Sequence, residues 1–276
     1  MLNFRFFLLI SLINLIILPA FSSFAEPKKS RDKIVPQPIQ ELFQSNLVYP
    51  QEKDEIQLTL FPSFRKNQST QKTRTLFEVE YGITDALQVI FEWEGLLYKN
   101  PKSDPAIAGV GNIEVGAQYS WMGMGDGNTH FSFGNLIEFP VGPVESGLTE
   151  GFIEVQPFIV LARDFPELNQ SQIFLEFGFD WVKQARNVPE SIAPEIDNIS
   201  WNIGAFFPIK LWRATIEING NNKLNGGSIN DIYITLGTIY KLSKEWEMGI
   251  ATPIGVTKTS DDYRVVGYLM WEFELD

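Results

Sequence analysis

The chain contains no cysteine and a single histidine among its 276 residues. The absence of cysteine excludes disulfide bridges, a thiolate metal site, a cysteine nucleophile and a lipoprotein anchor. A single histidine also disfavours a zinc site, so we predict neither a metal nor a cofactor. A chain without cysteine suits an exported protein that passes through an oxidising compartment without forming bridges.

Basic residues are scarce as well. The chain has 22 Lys and Arg against 34 Asp and Glu, a net charge of -12. Because a nucleic-acid surface needs a basic footprint, this balance argues against nucleic acid as a partner.

Long apolar runs are absent after the N-terminus. Arg5 precedes an apolar run over residues 6–21, and residues 23–25 (Ser-Phe-Ala) offer small residues at the two positions that a signal peptidase reads. We predict a cleaved signal peptide over residues 1–25, the alternative being an uncleaved membrane anchor. No later segment reaches 18 consecutive apolar residues, so the mature chain could enter a membrane only with strands.

Residues 26–54 differ in composition from the rest of the chain. They are rich in Gln and Pro, and their first part carries the charged residues Lys28, Lys29, Arg31, Asp32 and Lys33. This composition predicts a flexible, basic periplasmic leader. A short amphipathic helix around residues 39–43 is compatible with the pattern.

From Ile56 onward, apolar and polar residues alternate with a period of two. In the stretch 87–93, for example, Leu87, Val89 and Phe91 alternate with Gln88 and Glu92. About a dozen such stretches of roughly ten residues follow one another, and tight connectors alternate with long ones. Aromatic residues make up 13% of the chain, yet its mean hydropathy is only -0.05.

This pattern predicts an all-β fold, a transmembrane antiparallel up-and-down β-barrel of about 12 strands over residues 55–276. Its place would be the outer membrane of a Gram-negative cell, with outer-membrane lipid and the barrel-assembly machinery as partners. A soluble β-sandwich or lipocalin-like barrel is the alternative, but it would expose a large apolar surface to water.

Single acidic residues stand opposite the apolar stripes, strand after strand. As candidate lumen-facing residues we take Glu78, Glu80, Glu92, Glu94, Glu114, Glu154, Glu176 and Asp180. Unpaired carboxylates in a dry lumen are costly. Either the lumen is wet, in which case it would favour cations, or the basic leader enters it. A third reading is a blocked interior in which these groups pair with waters and share protons.

His130 is the one residue that could serve a Ser-His-acid triad of a barrel enzyme. The chain lacks a Gly-x-Ser-x-Gly nucleophile motif, and His130 starts a predicted strand beside a glycine-rich turn. We therefore predict a strand-end residue at the membrane interface, no catalytic residues and no enzymatic activity.

Several motifs, taken in order, resemble one family of outer-membrane barrels, named for the MetA pathway of phenol degradation. They are Tyr81–Asp85 followed by the strand 87–93, Gly109–Ile113, Phe139–Gly142, and Leu236–Gly255 leading into Ser260–Tyr263. The resemblance runs from about residue 75 to the end of the chain. It implies a channel or transporter, with small aromatic or apolar compounds as solutes, and it supplies no catalytic residues.

The chain departs from that family at three places. Asn112 stands where the family has Asp, Val141 stands where it has Thr, and the chain ends in residues 273–276 (Phe-Glu-Leu-Asp) rather than in a terminal Phe. From pattern and resemblance together we predict a passive channel for small solutes. The alternative is a structural or surface-interaction barrel that uses its long external loops.

Overall fold

The computed structural model describes residues 37–144, 148–149, 151–184, 197–224 and 230–275. The predicted signal peptide and residues 26–36 of the predicted leader lie outside the described residues. Within these ranges, no helix is long and apolar enough to cross a membrane.

The described residues form one antiparallel sheet of thirteen strands. The strands are β1 (Glu55–Lys66), β2 (Thr70–Thr84), β3 (Leu87–Pro101), β4 (Ile107–Gly109), β5 (Ile113–Met124), β6 (Thr129–Phe139), β7 (Phe152–Phe165), β8 (Ser171–Gln184), β9 (Asn198–Ile209), β10 (Trp212–Lys223), β11 (Asn230–Lys241), β12 (Trp246–Gly255) and β13 (Tyr263–Glu274). A single 3-10 turn, Pro166–Leu168, joins β7 to β8.

Twelve of these strands close into a barrel. Each pairs with its neighbours in sequence, β1 pairs with β13, and β3 pairs with both β2 and β5. The three-residue strand β4 pairs only with the end of β3. The predicted all-β barrel of about 12 strands is therefore confirmed. Within the described residues, closure gives each of these twelve strands a partner on both sides, as a strand structure surrounded by hydrocarbon requires.

The outer face of the barrel is apolar along its length. In β10 exposure alternates residue by residue, so Trp212 and Ile216 face outward while Arg213 and Glu217 are buried inside. Outward side chains such as Leu161 (50% exposed) and Ile250 (56% exposed) are far more exposed than core residues of a soluble protein. A continuous apolar surface of this kind fits hydrocarbon rather than water.

Aromatic side chains cluster where strands meet the short turns. Trp246 stacks on Trp271 with ring centroids 5.7 Å apart, and Trp212 packs against Tyr240 at 4.6 Å. Both pairs lie at strand ends on the outer face. Aromatic rings in this position are typical of the boundary between hydrocarbon and lipid head groups.

The connections divide the barrel into two ends. Short turns such as residues 85–86, 125–128 and 210–211 lie at one end, here called the short-turn end. The long connections lie at the other, here called the long-loop end. The turn between β1 and β2, residues 67–69, is the exception, because it is short and lies at the long-loop end.

Most of residues 37–54, here called the inner segment, lies inside the barrel, and Lys53 and Asp54 at its end are accessible. Ile39, Val48 and Tyr49 are 0%, 1% and 3% exposed. The segment contains no helix or strand, so the short helix that the sequence pattern allows around residues 39–43 is not formed. These residues are part of the packed interior rather than a flexible leader, because their apolar side chains pack against inward-facing aromatic side chains. The rings of Phe43 and Tyr268, for example, have centroids 5.4 Å apart.

Candidate functional site

The inner segment enters and leaves the barrel by the short-turn end. Near its start the Arg213 Nε donates to the Pro38 carbonyl at 2.6 Å. Halfway along, Gln44 Oε1 accepts a hydrogen bond at 3.3 Å from Arg264, the second residue of β13, at the long-loop end. The segment then returns through Tyr49 to β1.

Glu217 holds the innermost part of the segment. Its carboxylate accepts hydrogen bonds from the Phe43 and Gln44 backbone N–H groups, both at 3.2 Å, and from the Ser45 hydroxyl at 2.7 Å. Backbone N–H groups of a chain without regular structure need partners when they are buried. Glu217 supplies them, so the chain bends around its carboxylate instead of forming a helix.

Two more inward glutamates act in the same way. Glu176 accepts the Asn46 backbone N–H at 2.7 Å and its side-chain amide at 3.1 Å. Glu247 accepts the Gln40 N–H at 3.3 Å. Glu176 is one of the predicted lumen residues. Sequence reasoning missed Glu217 and Glu247, although their alternation with Ile216, Ile218, Trp246 and Met248 carried the same signal.

A second anchor lies where the segment approaches β1. Gln51 donates its backbone N–H to Gln88 Oε1 at 2.7 Å and its side-chain amide to Glu80 at 2.8 Å. Gln88 donates to the other oxygen of Glu80 at 2.8 Å. Both oxygens of Glu80, another predicted lumen residue, are therefore occupied by amide donors.

His130 lies inside the barrel. The prediction that it lies at the membrane interface is wrong. His130 is 0% exposed. Its Nδ1 accepts the Gly123 N–H at 3.0 Å, and its Nε2 lies 2.8 Å from Asp164 Oδ2. The Tyr49 hydroxyl donates to Asp164 Oδ1 at 2.8 Å. With both ring nitrogens engaged, His130 ties the inner segment to the wall and has no free nitrogen for a serine.

Five glutamates face one another in register across five neighbouring strands. Glu78 is opposite Glu92, Glu92 opposite Glu114, Glu114 opposite Glu138, and Glu138 opposite Glu154. We call this row the acidic belt. The sequence prediction contained every member except Glu138. Like charges directly opposite each other are destabilising in a sheet, so the belt requires protons or positive charge nearby.

The remaining predicted residues lie beside the belt. Glu94 accepts Arg74 Nη1 at 3.1 Å and the Asn112 backbone N–H at 3.3 Å. Asp180 is opposite Asn198 in the register of β8 and β9. Over the described residues, no group of three or more acidic or histidine side chains is arranged to hold a metal ion.

A cavity of about 370 Å³ separates the inner segment from the wall formed by β1, β2, β3 and β13. Its charged lining residues are Glu41, Glu78, Glu80, Glu92, Arg65, Lys72, Arg74 and Arg264. Its apolar lining residues are Leu42, Phe43, Leu47, Phe61, Leu76, Ile90, Leu136 and Val266. The barrel thus encloses a space of small-molecule size with a mixed charged and apolar surface.

A glycine in β11 makes room for the inner segment. A Cβ atom built at Gly237 would overlap the Phe43 ring, whereas one at Gly267 would meet nothing nearer than the Gly249 carbonyl oxygen at 3.4 Å. Space for Phe43 therefore depends on the missing side chain at Gly237.

We expect Gly237→Ala to push Phe43 away from the wall and to loosen the inner segment without opening the barrel. The measurement is limited proteolysis of the folded protein, where the variant should be cut within residues 37–54 sooner than the parent. Gly267→Ala is the matched control and should be cut like the parent. Equal cutting of all three proteins would contradict this packing role.

The fold is shared with solved outer-membrane channels. An outer-membrane channel from Pseudomonas putida F1 superimposes with a TM-score of 0.70 at 10% sequence identity, covering 83% of this chain and 99% of that one. The NanC porin gives 0.54 at 13% identity, covering 79% and 100%, and the KdgM porin 0.52 at 11%, covering 79% and 99%. At these identities the likeness establishes the barrel fold alone.

Compared with known protein families and with curated protein sequences, the chain has no match.

Proposed function

We propose that this chain is an outer-membrane β-barrel channel for small solutes, with the inner segment narrowing its lumen. One observation carries the proposal. A closed barrel with an apolar outer face contains a cavity of about 370 Å³ lined by charged residues. Charged lining would be costly in a sealed core, whereas a hydrated passage accommodates it.

The shared fold supports this proposal, because the similar solved structures include an outer-membrane channel and two porins. We include in this proposal membership of the MetA-pathway barrels, which the sequence resembles. We also include outer-membrane lipid and the barrel-assembly machinery as partners. That resemblance implies aromatic or apolar solutes. The cavity offers apolar side chains that could contact an aromatic or apolar solute, and it also carries acidic and basic side chains.

The test is electrical. Purified full-length chain in a planar lipid bilayer should give small, discrete conductance steps, and liposomes containing it should swell in solutes small enough to pass. The steps should be small because the inner segment occupies part of the lumen. Heat-modifiable gel migration shows whether the barrel is folded. A folded barrel that gives no conductance at any voltage and no liposome swelling would contradict the proposal.

A further inference from the structure

Charge changes sign with depth along one wall of the cavity. Side chains on β1 and β2 that face inward form successive levels from the long-loop end toward the middle of the barrel. The paired residues are Arg65 with Lys72, Ser63 with Arg74, Phe61 with Leu76, and Thr59 with Glu78. Two basic levels are thus followed by an apolar level and then by an acidic one.

The neighbouring strands extend the outermost basic level and the acidic level. On β13, Arg264 is opposite Arg65, so the outer level carries three basic residues. On β3, Glu92 is opposite Glu78 and adds to the acidic level. The basic and acidic sides are therefore built by residues from several strands, and neither depends on a single side chain.

The separation suits a small molecule. Arg74 and Glu78 are four residues apart on β2, which corresponds to about 13 Å between their Cα atoms at the usual rise of a strand. Their long side chains reduce the gap between the charged groups. The apolar level, with Leu76 and Phe61, lies in that gap. Glu94, which is opposite Leu76 on β3, forms an ion pair with Arg74 and is not part of the cavity lining.

The acidic level and the basic levels both contain, among the described residues, hydrogen-bonding atoms without a partner. Within the described part of the chain, Glu78 Oε1 and Arg264 Nε are buried atoms without a hydrogen-bond partner. Ion pairs hold Arg74 on Glu94 at 3.1 Å and Arg264 on Asp261 at 2.9 Å. Because a guanidinium has five N–H donors, each arginine keeps donors for another acceptor.

We propose that this cavity binds a small zwitterion, in which an ammonium group and a carboxylate are joined by a short apolar body. The ammonium group would lie at Glu78 and Glu92, the carboxylate at Arg74 and Arg264, and the body against the apolar level. This inference rests on the proposed function, because it names the solute class of that channel. The lining holds four acidic and four basic side chains, so a solute carrying one charge would leave one side unmatched.

Four probes of equal carbon-chain length separate the contributions: 6-aminohexanoate, hexylamine, hexanoate and hexanol. Binding to the full-length protein in detergent is measured by isothermal titration calorimetry, which does not require transport. We expect 6-aminohexanoate to bind at least about ten-fold more tightly than each of the others, a preference of about 1.4 kcal/mol. Equal or tighter binding of any other probe, or no binding of 6-aminohexanoate, would overturn the inference.

Two variants assign the two ends. Glu78→Gln should weaken 6-aminohexanoate binding and leave hexanoate binding unchanged or improved, whereas Arg74→Gln should spare hexylamine. Glu245→Gln, which changes an exposed residue of a short turn, is the matched control and should bind like the parent. If the control lost the preference for 6-aminohexanoate and the two cavity variants kept it, the assignment of the two ends would be contradicted.

Liposome swelling in 6-aminohexanoate tells the two proposals apart, because this zwitterion does not cross lipid by itself, whereas hexanol and the uncharged forms of hexylamine and hexanoate do. Preferential binding of 6-aminohexanoate, with no more swelling than in protein-free liposomes and no conductance, would defeat the channel and keep the site. Swelling above that of protein-free liposomes, without preferential binding, would keep the channel and defeat the site.

Discussion

Deletion of residues 38–50 is expected to raise the single-channel conductance several-fold and to admit solutes that the parent excludes. The interior of an eight-stranded barrel is just filled by its own side chains, and wider barrels leave space. Here twelve strands close the barrel, and buried residues of the inner segment, such as Ile39 and Val48, occupy that space. Without them, the polar anchors Glu217, Glu176 and Glu247 would face water.

The measurement is conductance in planar bilayers, with heat-modifiable gel migration to show that the barrel still forms. Glu245→Gln, which changes an exposed residue of a short turn, is the control and should conduct like the parent. If the shortened chain does not fold, Glu217→Ala tests the same idea with the segment retained, because it removes the acceptor for Phe43, Gln44 and Ser45. Parental conductance in a folded variant of either kind would show that the segment does not restrict the lumen.

Period-two alternation was sufficient to predict the outer surface and the number of strands. It works because each strand of a barrel in hydrocarbon has one apolar side, and successive residues point to opposite sides. Strand ends were less accurate: β3 continues to Pro101, well beyond the stretch 87–93, because pairing with β2 and β4 extends it.

The packed interior could not be predicted from alternation alone. A signal was present, since residues 173–175 (Ile-Phe-Leu) and 206–207 (Phe-Phe) are apolar on both faces of their strands. Phe174 and Phe206 are 1% and 0% exposed inside the barrel. Apolar inward residues require an apolar partner, and residues 39–49 offer several apolar side chains, namely Ile39, Leu42, Phe43, Leu47, Val48 and Tyr49. The composition of residues 26–54 as a whole concealed it.

The acidic belt shows a different limit. Alternation indicates that Glu78, Glu92 and Glu114 point inward, but it does not show that they lie at one level. Their alignment depends on the register of each strand pair, which turns and bulges determine, such as the shift between Thr75 and Leu76. Glu176 and Glu80 accept hydrogen bonds from backbone and side-chain amides of the inner segment, and no pattern within a strand identifies those donors.

The largest effect on stability is expected from Asp164→Asn. Asp164 accepts hydrogen bonds from three buried donors: the Tyr49 hydroxyl at 2.8 Å, the Gln172 amide at 2.7 Å and the His130 Nε2 at 2.8 Å. Since the Gly123 N–H can only donate, His130 Nδ1 must accept, and the ring proton lies on Nε2. The carboxylate is therefore the one group that can receive all three.

An asparagine at this position places an NH₂ group against a donor in either orientation. One orientation opposes the His130 Nε2–H, and the other opposes the amide N–H of Gln172 and removes the acceptor of the Tyr49 hydroxyl proton. Moving the ring proton to Nδ1 would relieve the first conflict, but it would break the bond from Gly123. Because each unsatisfied buried group costs about 1–3 kcal/mol, we expect a loss of about 2–4 kcal/mol in the free energy of unfolding.

Urea unfolding of the protein in lipid vesicles, followed by tryptophan fluorescence, measures this loss. Tyr49→Phe removes one donor and leaves the carboxylate satisfied by the other two, so it should cost only about 1 kcal/mol. Asp126→Asn is the matched control. Its carboxyl sits on an exposed turn, where the hydrogen bond from Arg163 lowers its pKa, and water replaces a lost exposed ion pair with little cost. This ranking of the variants follows from burial. The same Asp→Asn change lowers the free energy of unfolding strongly where no water can supply the missing acceptor, and very little where water is present. Equal unfolding free energies for the Asp164 and Asp126 variants would show that the buried network does not hold the inner segment.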